Sequence, residues 1–365
     1  MRLLTEETIE HIALGAAVLG TGGGGDPYIG MLMAQQAIRD HGPVELYTLD
    51  ELADDDLIVP AAMMGAPTVM VEKIPNGDDM INAFQALGNY MGQPIRATMS
   101  IEAGGMNSVV PIYVAARLRL PLVDCDGMGR AFPEVQMLTH TIHGISATPM
   151  AMADERGNTI LLETINNRWT ETFARSITVD MGATAMIALY AATVRQLKDC
   201  AITGTISLAE TIGQTIRRAR VREADPVTTV REVVGGFEIF KGKISDVERR
   251  TEAGFAKGDA FMEGIDEYTG RRLQLSFQNE HLVARIDDEI RVTVPDLITL
   301  LDLDTGEPIT TESMRYGYRA AVIGIPCAAQ WRTPEGLALV GPRYFGYDID
   351  YVPVEARYQD VVRGV

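Results

Sequence analysis

The first half of the chain alternates between helix-like and strand-like hydrophobic patterns. Apolar residues three or four apart predict helices at residues 9–19, 28–40, 78–90 and 108–118, the first preceded by Thr5 as N-cap. Short continuous apolar runs predict strands at residues 44–49, 57–64, 96–101 and 120–123. Strand-like runs end in glycine-bearing loops before helix-like segments. This order predicts an α/β N-terminal domain with a mostly parallel sheet.

The second half has a different pattern. Helical spacing occurs at residues 169–177 and 208–220, and β-rich runs lie at 237–243, 273–277, 281–286, 289–294 and 320–325. Turn signals between these runs predict a smaller, mixed α+β and β-rich C-terminal domain with an antiparallel portion. The predicted division places residues 1–168 in the first domain and 169–365 in the second.

Composition and charge exclude some classes of partner. The chain has 365 residues, of which 46% are hydrophobic, and a formal net charge of −18. So acidic a protein lacks the basic face needed to bind nucleic acid or an anionic membrane. The sequence has no apolar run long enough for a membrane helix, and its three cysteines are widely spaced. These features predict a cytoplasmic protein without a disulfide framework.

An acidic turn follows the strand predicted at 120–123. Asp124 and Asp126 lie on either side of Cys125, and Gly127, Arg130 and Glu134 follow. Gly127 and Glu134 are candidate substrate-binding residues. Open α/β folds place their chemistry at the carboxyl ends of parallel strands, so the two aspartates and Arg130 are candidate catalytic residues. Two close carboxylates raise each other's pKa or share a cation, which is either a metal or Arg130. The alternative is a structural ion pair beside a flexible turn.

Two glycine-bearing loops are candidate substrate-binding elements. The first contains Gly22, Gly23, Gly24, Gly25 and Asp26, whose backbone N–H groups could approach an anion or carbonyl closely. It lacks the GK[ST] of a Walker loop and the strand that precedes a dinucleotide fingerprint, so no nucleotide cofactor is expected. The alternative is a helix C-cap with a long turn.

The second loop follows the strand predicted at 96–101. Glu102 is a candidate general base or metal ligand, and Gly104, Gly105 and Asn107 could bind substrate at a helix N-terminus. The alternative is plain capping of the next helix by Asn107 or Ser108.

Two histidines and one cysteine are the remaining candidate functional residues. His140 and His143 share a helical spacing and could bind one divalent metal together with Asp124 or Asp126. Structural or exposed roles are the alternative for both histidines. Cys327 is either a nucleophile or a buried, inert thiol.

Several motifs together resemble a known family. They are GTGGGGDP, EAGGMNS, DCDGMGRAFPEVQM with HGISATPMAMAD, and a C-terminal VIGIP…W…GP…FGYD…Y run. In the same order, they resemble the S-methyl-thiohydantoin desulfurase family, formerly a domain of unknown function associated with hydantoinase and oxoprolinase proteins. The resemblance covers nearly the whole chain and implies an N-terminal α/β domain and a separate C-terminal domain.

The resemblance implies action on a hydantoin, thiohydantoin or related cyclic imide or amide. A hydrolase-like mechanism is then expected, with water activated by a strand-end carboxylate and a carbonyl or thiocarbonyl polarised by the glycine loops. The alternatives are a non-catalytic partner of a hydantoinase- or oxoprolinase-like protein and a small-molecule binding protein. The methionine content, 18 residues, and the apolar turns favour a homo-oligomer.

Overall fold

The computed structural model describes residues 1–65, 77–252 and 254–362. Its helices are α1 (Glu6–Leu19), α2 (Tyr28–His41), α3 (Asp78–Met91), α4 (Val110–Leu118), α5 (Thr139–Ile142), α6 (Asn167–Asp180), α7 (Val194–Cys200), α8 (Thr205–Val221), α9 (Pro226–Val233), α10 (Pro334–Val340) and α11 (Val354–Val362). The strands of the first half are β1 (Arg2–Leu4), β2 (Val44–Tyr47), β3 (Leu57–Gly65), β4 (Ala97–Met99), β5 (Leu122–Val123), β6 (Cys125–Asp126), β7 (Met150–Ala153) and β8 (Thr159–Leu162). They are followed by β9 (Thr184–Ala188), β10 (Ala192–Thr193), β11 (Ile202–Thr203), β12 (Phe237–Glu252), β13 (Phe255–Gly264), β14 (Arg272–Gln278), β15 (Glu280–Ile286), β16 (Glu289–Thr293), β17 (Leu297–Asp302) and β18 (Arg319–Ile325).

The first sheet has a parallel centre. Its order is β1-β2-β5-β4-β3-β9-β7-β8, with β10 also paired to β3. The pairs β2·β5, β5·β4 and β4·β3 are parallel, which confirms the predicted parallel α/β arrangement for these four strands. The strands on both flanks are antiparallel and were not predicted. Because parallel strands end at one edge, the loops after β3, β4 and β5 meet there.

The second sheet is a curled antiparallel sheet, as predicted for the β-rich half. Its order is β16-β15-β14-β13-β12-β18-β17, and all its pairs are antiparallel. Register shifts occur in four of the pairings, for example between Ile244 and Asp246. Such bulges increase the local twist and bend a sheet, and here they accompany its curl. The sheet has its own hydrophobic core, which includes Phe240, Leu275 and Leu300.

Helix α8, from the second half of the chain, packs against α1, from the first half. It crosses α1 at two glycines, where a Cβ at Gly15 would stand 1.8 Å from the Ala209 oxygen and one at Gly213 would stand 2.0 Å from the His11 oxygen. The missing side chains let the two backbones touch, so Ile12 and Ile212 are fully buried. None of the described helices is long and apolar enough to cross a membrane.

Candidate functional site

A cleft opens between the two sheets at the carboxyl edge of the parallel strands. It encloses about 580 Å³, open mouth included. Its polar side chains come from both halves of the chain: Glu102, Asn107, Glu134, Arg175, Asn279 and Glu280. Its apolar wall includes Met63, Met64, Met128, Phe132, Val135 and Ile187. A cleft that combines an apolar wall with a few convergent polar groups is the usual form of a small-molecule site.

Glu102 lies at the floor of this cleft, just after β4. Its side chain is buried, with Oε1 accepting from Asn107 Nδ2 at 2.7 Å and Oε2 accepting from the Phe132 N–H at 3.2 Å. Burial raises its pKa to about 7, and the negative charge of Asp126 acts in the same direction. A carboxyl group with a pKa near neutrality can both accept and donate a proton at physiological pH.

Asn107 fixes the orientation of that carboxylate. Its Oδ1 accepts from the Met63 N–H at 2.7 Å, and its Nδ2 donates to the Met63 carbonyl at 3.3 Å as well as to Glu102. The amide therefore joins the end of β3 to the loop after β4. The prediction that Glu102 and Asn107 belong to one site agrees with this geometry.

Glu280 faces Glu102 from the other half of the chain. It begins β15, is 2% exposed, and its Oε2 has no partner among the described residues. Burial raises its pKa well above the ordinary value, and the negative charge of Glu102 raises it further, whereas Arg130 opposes the shift. Sequence reasoning missed this residue. The available signal was a carboxylate that opens a largely apolar strand.

The glycine loop after α1 is mainly a packing surface for the second sheet. A Cβ at Gly22 would stand 2.4 Å from the His281 ring, and one at Gly23 would stand 2.0 Å from Glu280 Oε1. The carbonyls of Thr21 and Gly22 accept from the N–H groups of His281 (2.8 Å) and Thr311 (2.7 Å). The prediction that all four glycines surround a ligand therefore needs correction, because of the four only Gly24 lines the cleft.

The other predicted glycines also serve close packing. A Cβ at Gly105 would stand 2.3 Å from the Gly25 oxygen, so the two glycine loops touch each other. Gly104 packs against Ala131, and Gly127 packs against Leu138. Asp26 is exposed and accepts from the Tyr28 N–H at 2.9 Å, at the start of α2. None of these predicted substrate-binding residues is among those that line the cleft.

Asp124 and Asp126 do not share a ligand. Asp124 accepts from the N–H groups of Ile206 (2.9 Å) and Ser207 (3.1 Å), in the first turn of α8. Asp126 is fully buried and accepts from three backbone N–H groups, those of Ala103, Met128 and Gly129. Neither lines the cleft. The three N–H groups all donate to Oδ2 of Asp126, and its Oδ1 is buried without a hydrogen-bond partner among the described residues. Burial raises the pKa of Asp126 to about 7.

Arg130 joins the two sheets and forms no ion pair with the aspartates within the described part of the chain. Its guanidinium donates to the carbonyls of Ala131, Pro295, Asp296 and His281 and to Thr21 Oγ1, at 2.8–3.3 Å. The predicted pairing with Asp124 or Asp126 is therefore wrong, because five oxygens elsewhere accept these N–H groups. The side chain is fully buried and supplies positive charge near Glu280 and Glu102.

Glu134, a predicted substrate-binding residue, lines the cleft. Its Oε2 accepts from Tyr344 Oη at 2.7 Å and from the Gln136 amide. The carboxylate is thus held by two side chains at the edge of the cleft.

The histidines and the cysteine lie away from the cleft. His140 is fully buried, neither of its ring nitrogens has a hydrogen-bond partner in the described part of the chain, and burial lowers its pKa to about 4. His143 is exposed. Over residues 1–65, 77–252 and 254–362, no group of three or more His, Cys, Asp or Glu side chains could hold a metal. The four predicted metal ligands are therefore not brought together. Cys327 is buried and its pKa is raised to about 12, which is typical of an inert thiol.

Comparison with known proteins gives a family. Residues 7–164 match the model of the S-Me-THD-like N-terminal domain, and residues 165–354 match that of the C-terminal domain. The chain belongs to the S-Me-THD-like family. The predicted S-methyl-thiohydantoin desulfurase resemblance is confirmed at this level. No curated protein matches the chain.

A solved structure supports the fold of this S-Me-THD-like chain. It is a crystal structure of a protein from Chromobacterium violaceum, 24% identical, covering 97% of this chain and 100% of its own, with a TM-score of 0.79. The similarity shows a shared fold.

The family models divide the chain after residue 164, whereas β9 and β10 still belong to the first sheet. The predicted division after residue 168 stays a prediction.

Proposed function

We propose that the cleft binds a hydantoin, thiohydantoin or related cyclic imide or amide and hydrolyses it. One observation carries the proposal: two buried carboxyl groups, Glu102 and Glu280, reach the same small cleft from different halves of the chain. Buried carboxyl pairs whose pKa values are raised are typical of general acid–base sites. The family name supports a substrate related to thiohydantoin.

The proposed reaction on an S-methyl-thiohydantoin is a substitution at the carbon that carries the sulfur. Glu102, in its ionised form, takes a proton from a water molecule as the water oxygen bonds to that carbon. The carbon–sulfur bond then breaks, and protonated Glu280 gives its proton to the departing methanethiolate. The products are a hydantoin and methanethiol. On an unsubstituted ring, the same groups would cleave a carbon–nitrogen bond, with the proton going to nitrogen.

The test uses purified protein with hydantoin, 2-thiohydantoin and S-methyl-thiohydantoin. Thiol release and ring products are followed by a thiol reagent and by mass spectrometry. Glu102→Gln and Glu280→Gln are each expected to lower turnover by at least about 100-fold, the range for loss of a general acid or base. Glu335→Gln, at an exposed position, is the control and should keep full activity.

Two results would contradict the proposal. One is full turnover by both folded variants, and the other is no turnover of any ring by the wild type. Ring binding without turnover would favour a binding protein. The hydantoinase- or oxoprolinase-like partner and the homo-oligomer stay predictions, and size-exclusion chromatography with and without such a partner tests both.

A further inference from the structure

Arg175 brings positive charge to a cleft whose other charged lining residues are carboxyl groups. It is the sole cation among the described residues that line the cleft, which also include Glu102, Glu134 and Glu280. Arg130 is fully buried behind that lining and donates to backbone carbonyls and Thr21. A ligand in the cleft can therefore meet one guanidinium, that of Arg175.

Three contacts hold the Arg175 side chain and leave one terminal nitrogen of its guanidinium, Nη1, without a described partner. Its Nε donates to Glu171 Oε1 at 2.7 Å, and one terminal nitrogen, Nη2, donates to the Pro133 carbonyl at 2.9 Å. The guanidinium also lies over the Phe255 ring, 4.7 Å from its centroid. The other terminal nitrogen, Nη1, donates to no described residue. Fixed in this way, the guanidinium loses little rotamer freedom when a ligand binds.

A short path of contacts connects Arg175 to the carboxyl pair. Phe255, under the guanidinium, precedes Ala256, whose N–H donates to Asn279 Oδ1 at 2.9 Å. Asn279 precedes Glu280, and both line the cleft. A small ring beside Glu280 would therefore extend its substituent along the wall that carries Arg175.

We propose that Arg175 binds an anionic substituent, such as a carboxylate, on the cyclic substrate, and so selects ring compounds with an acidic side chain. The inference rests on the proposed function for the identity of the ring. Arginine binds planar carboxylates with directional, charge-assisted hydrogen bonds. Burial raises the pKa of Glu102 and Glu280, which lowers their negative charge at neutral pH and so reduces their repulsion of such an anion.

The test compares matched ligands with and without the charge. The ligands are hydantoins and thiohydantoins with a carboxyalkyl substituent at ring carbon 5, and their carboxamide analogues. Binding is measured by calorimetry, independently of turnover, for the wild type, Arg175→Gln and Arg175→Lys. The control is Arg168→Gln, at an exposed position that does not line this cleft.

The wild type should bind the carboxylates at least about tenfold more tightly than the carboxamides, about 1.4 kcal/mol. Arg175→Gln should remove this preference while carboxamide binding stays within about twofold, and Arg175→Lys should retain part of it. A wild type without the preference, or a variant that loses both ligands equally, overturns the inference. If the wild type prefers the carboxylates but turns over none of the rings, the proposed role of Arg175 stands and the proposed hydrolysis is wrong. If the wild type turns over the rings without preferring the carboxylates, the proposed hydrolysis stands and the proposed role of Arg175 is wrong.

Discussion

The carboxylate of Glu280 occupies the space beside Gly23 in which a side chain would begin. A Cβ on Gly23 would stand 2.0 Å from Oε1 and 2.5 Å from Cδ of Glu280. Gly23, near the start of the chain, thus leaves the room that the carboxylate of Glu280 occupies.

Gly23→Ala should therefore displace Glu280 and lower turnover by at least about tenfold. Overpacking of this kind costs on the order of 1–3 kcal/mol, so the variant should still fold. Turnover and denaturant unfolding measure the two effects. Gly88→Ala, within α3, is the control. Its added methyl would meet only the flexible end of the Ile95 side chain, at 3.1 Å. Full activity in Gly23→Ala would show that Glu280 need not be fixed.

Asp124→Ala tests whether this aspartate is structural. The change removes the acceptor for the Ile206 and Ser207 N–H groups in the first turn of α8. Loss of such a cap costs about 1–2 kcal/mol, which urea unfolding would detect. The turnover of the folded variant should stay close to wild type. A variant of unchanged stability that has lost its activity would restore Asp124 as a catalytic residue.

Arg130→Lys should destabilise the protein strongly. An ammonium cannot reach the carbonyls of Pro295, Asp296 and His281 together with Thr21, as the guanidinium does. Breaking a buried charged network typically costs about 3–5 kcal/mol. Arg343→Lys is the control, because that side chain pairs only with the exposed Asp348 and Asp350, and it should change stability by less than about 1 kcal/mol. Equal unfolding midpoints for the two variants would contradict this account.

The contribution of Glu102 to the stability of the protein should fall as pH rises toward neutrality. The pKa of Glu102 is raised from 4.5 to about 7 in the folded protein, so the protonated form is the one that folding favours. Its contribution to the free energy of unfolding is full below pH 4.5 and is lost as pH rises through about 7. Asp126, with a pKa of about 7, acts in the same direction. Urea unfolding between about pH 5 and about pH 8 measures the slope, which should be shallower in Glu102→Gln. An equal slope in that variant would show that Glu102 contributes nothing to it.

The sequence predicted those parts of the fold that local pattern specifies. The long apolar run of β3 and the following glycine made this strand recognisable, and it was found as Leu57–Gly65. The sequence pattern did not predict strand β9. Three of its five residues are Ala or Met, which favour a helix or are neutral. Short strands of this kind are specified by their partners in the sheet rather than by their own residues.

The site was predicted only where its residues are close in sequence. Glu102 and Asn107 are five residues apart, and one loop carries both. Glu280 depends on the contact of Gly23 with a strand that follows more than 250 residues later, and no local pattern encodes that contact. Asp124 and Asp126 are candidates in the sequence because they end a strand before a glycine-bearing turn, but both accept from backbone N–H groups and neither lines the cleft.

Strand β9 also limits where this chain can be divided. The family's N-terminal model ends at residue 164, but β3 pairs on one side with β4 and on the other with β9, at residues 184–188. A fragment that stops at residue 164 would leave one whole edge of β3 without its partner, in the middle of the sheet. We therefore expect a protein fragment cut at that boundary to expose an unpaired central strand and to aggregate.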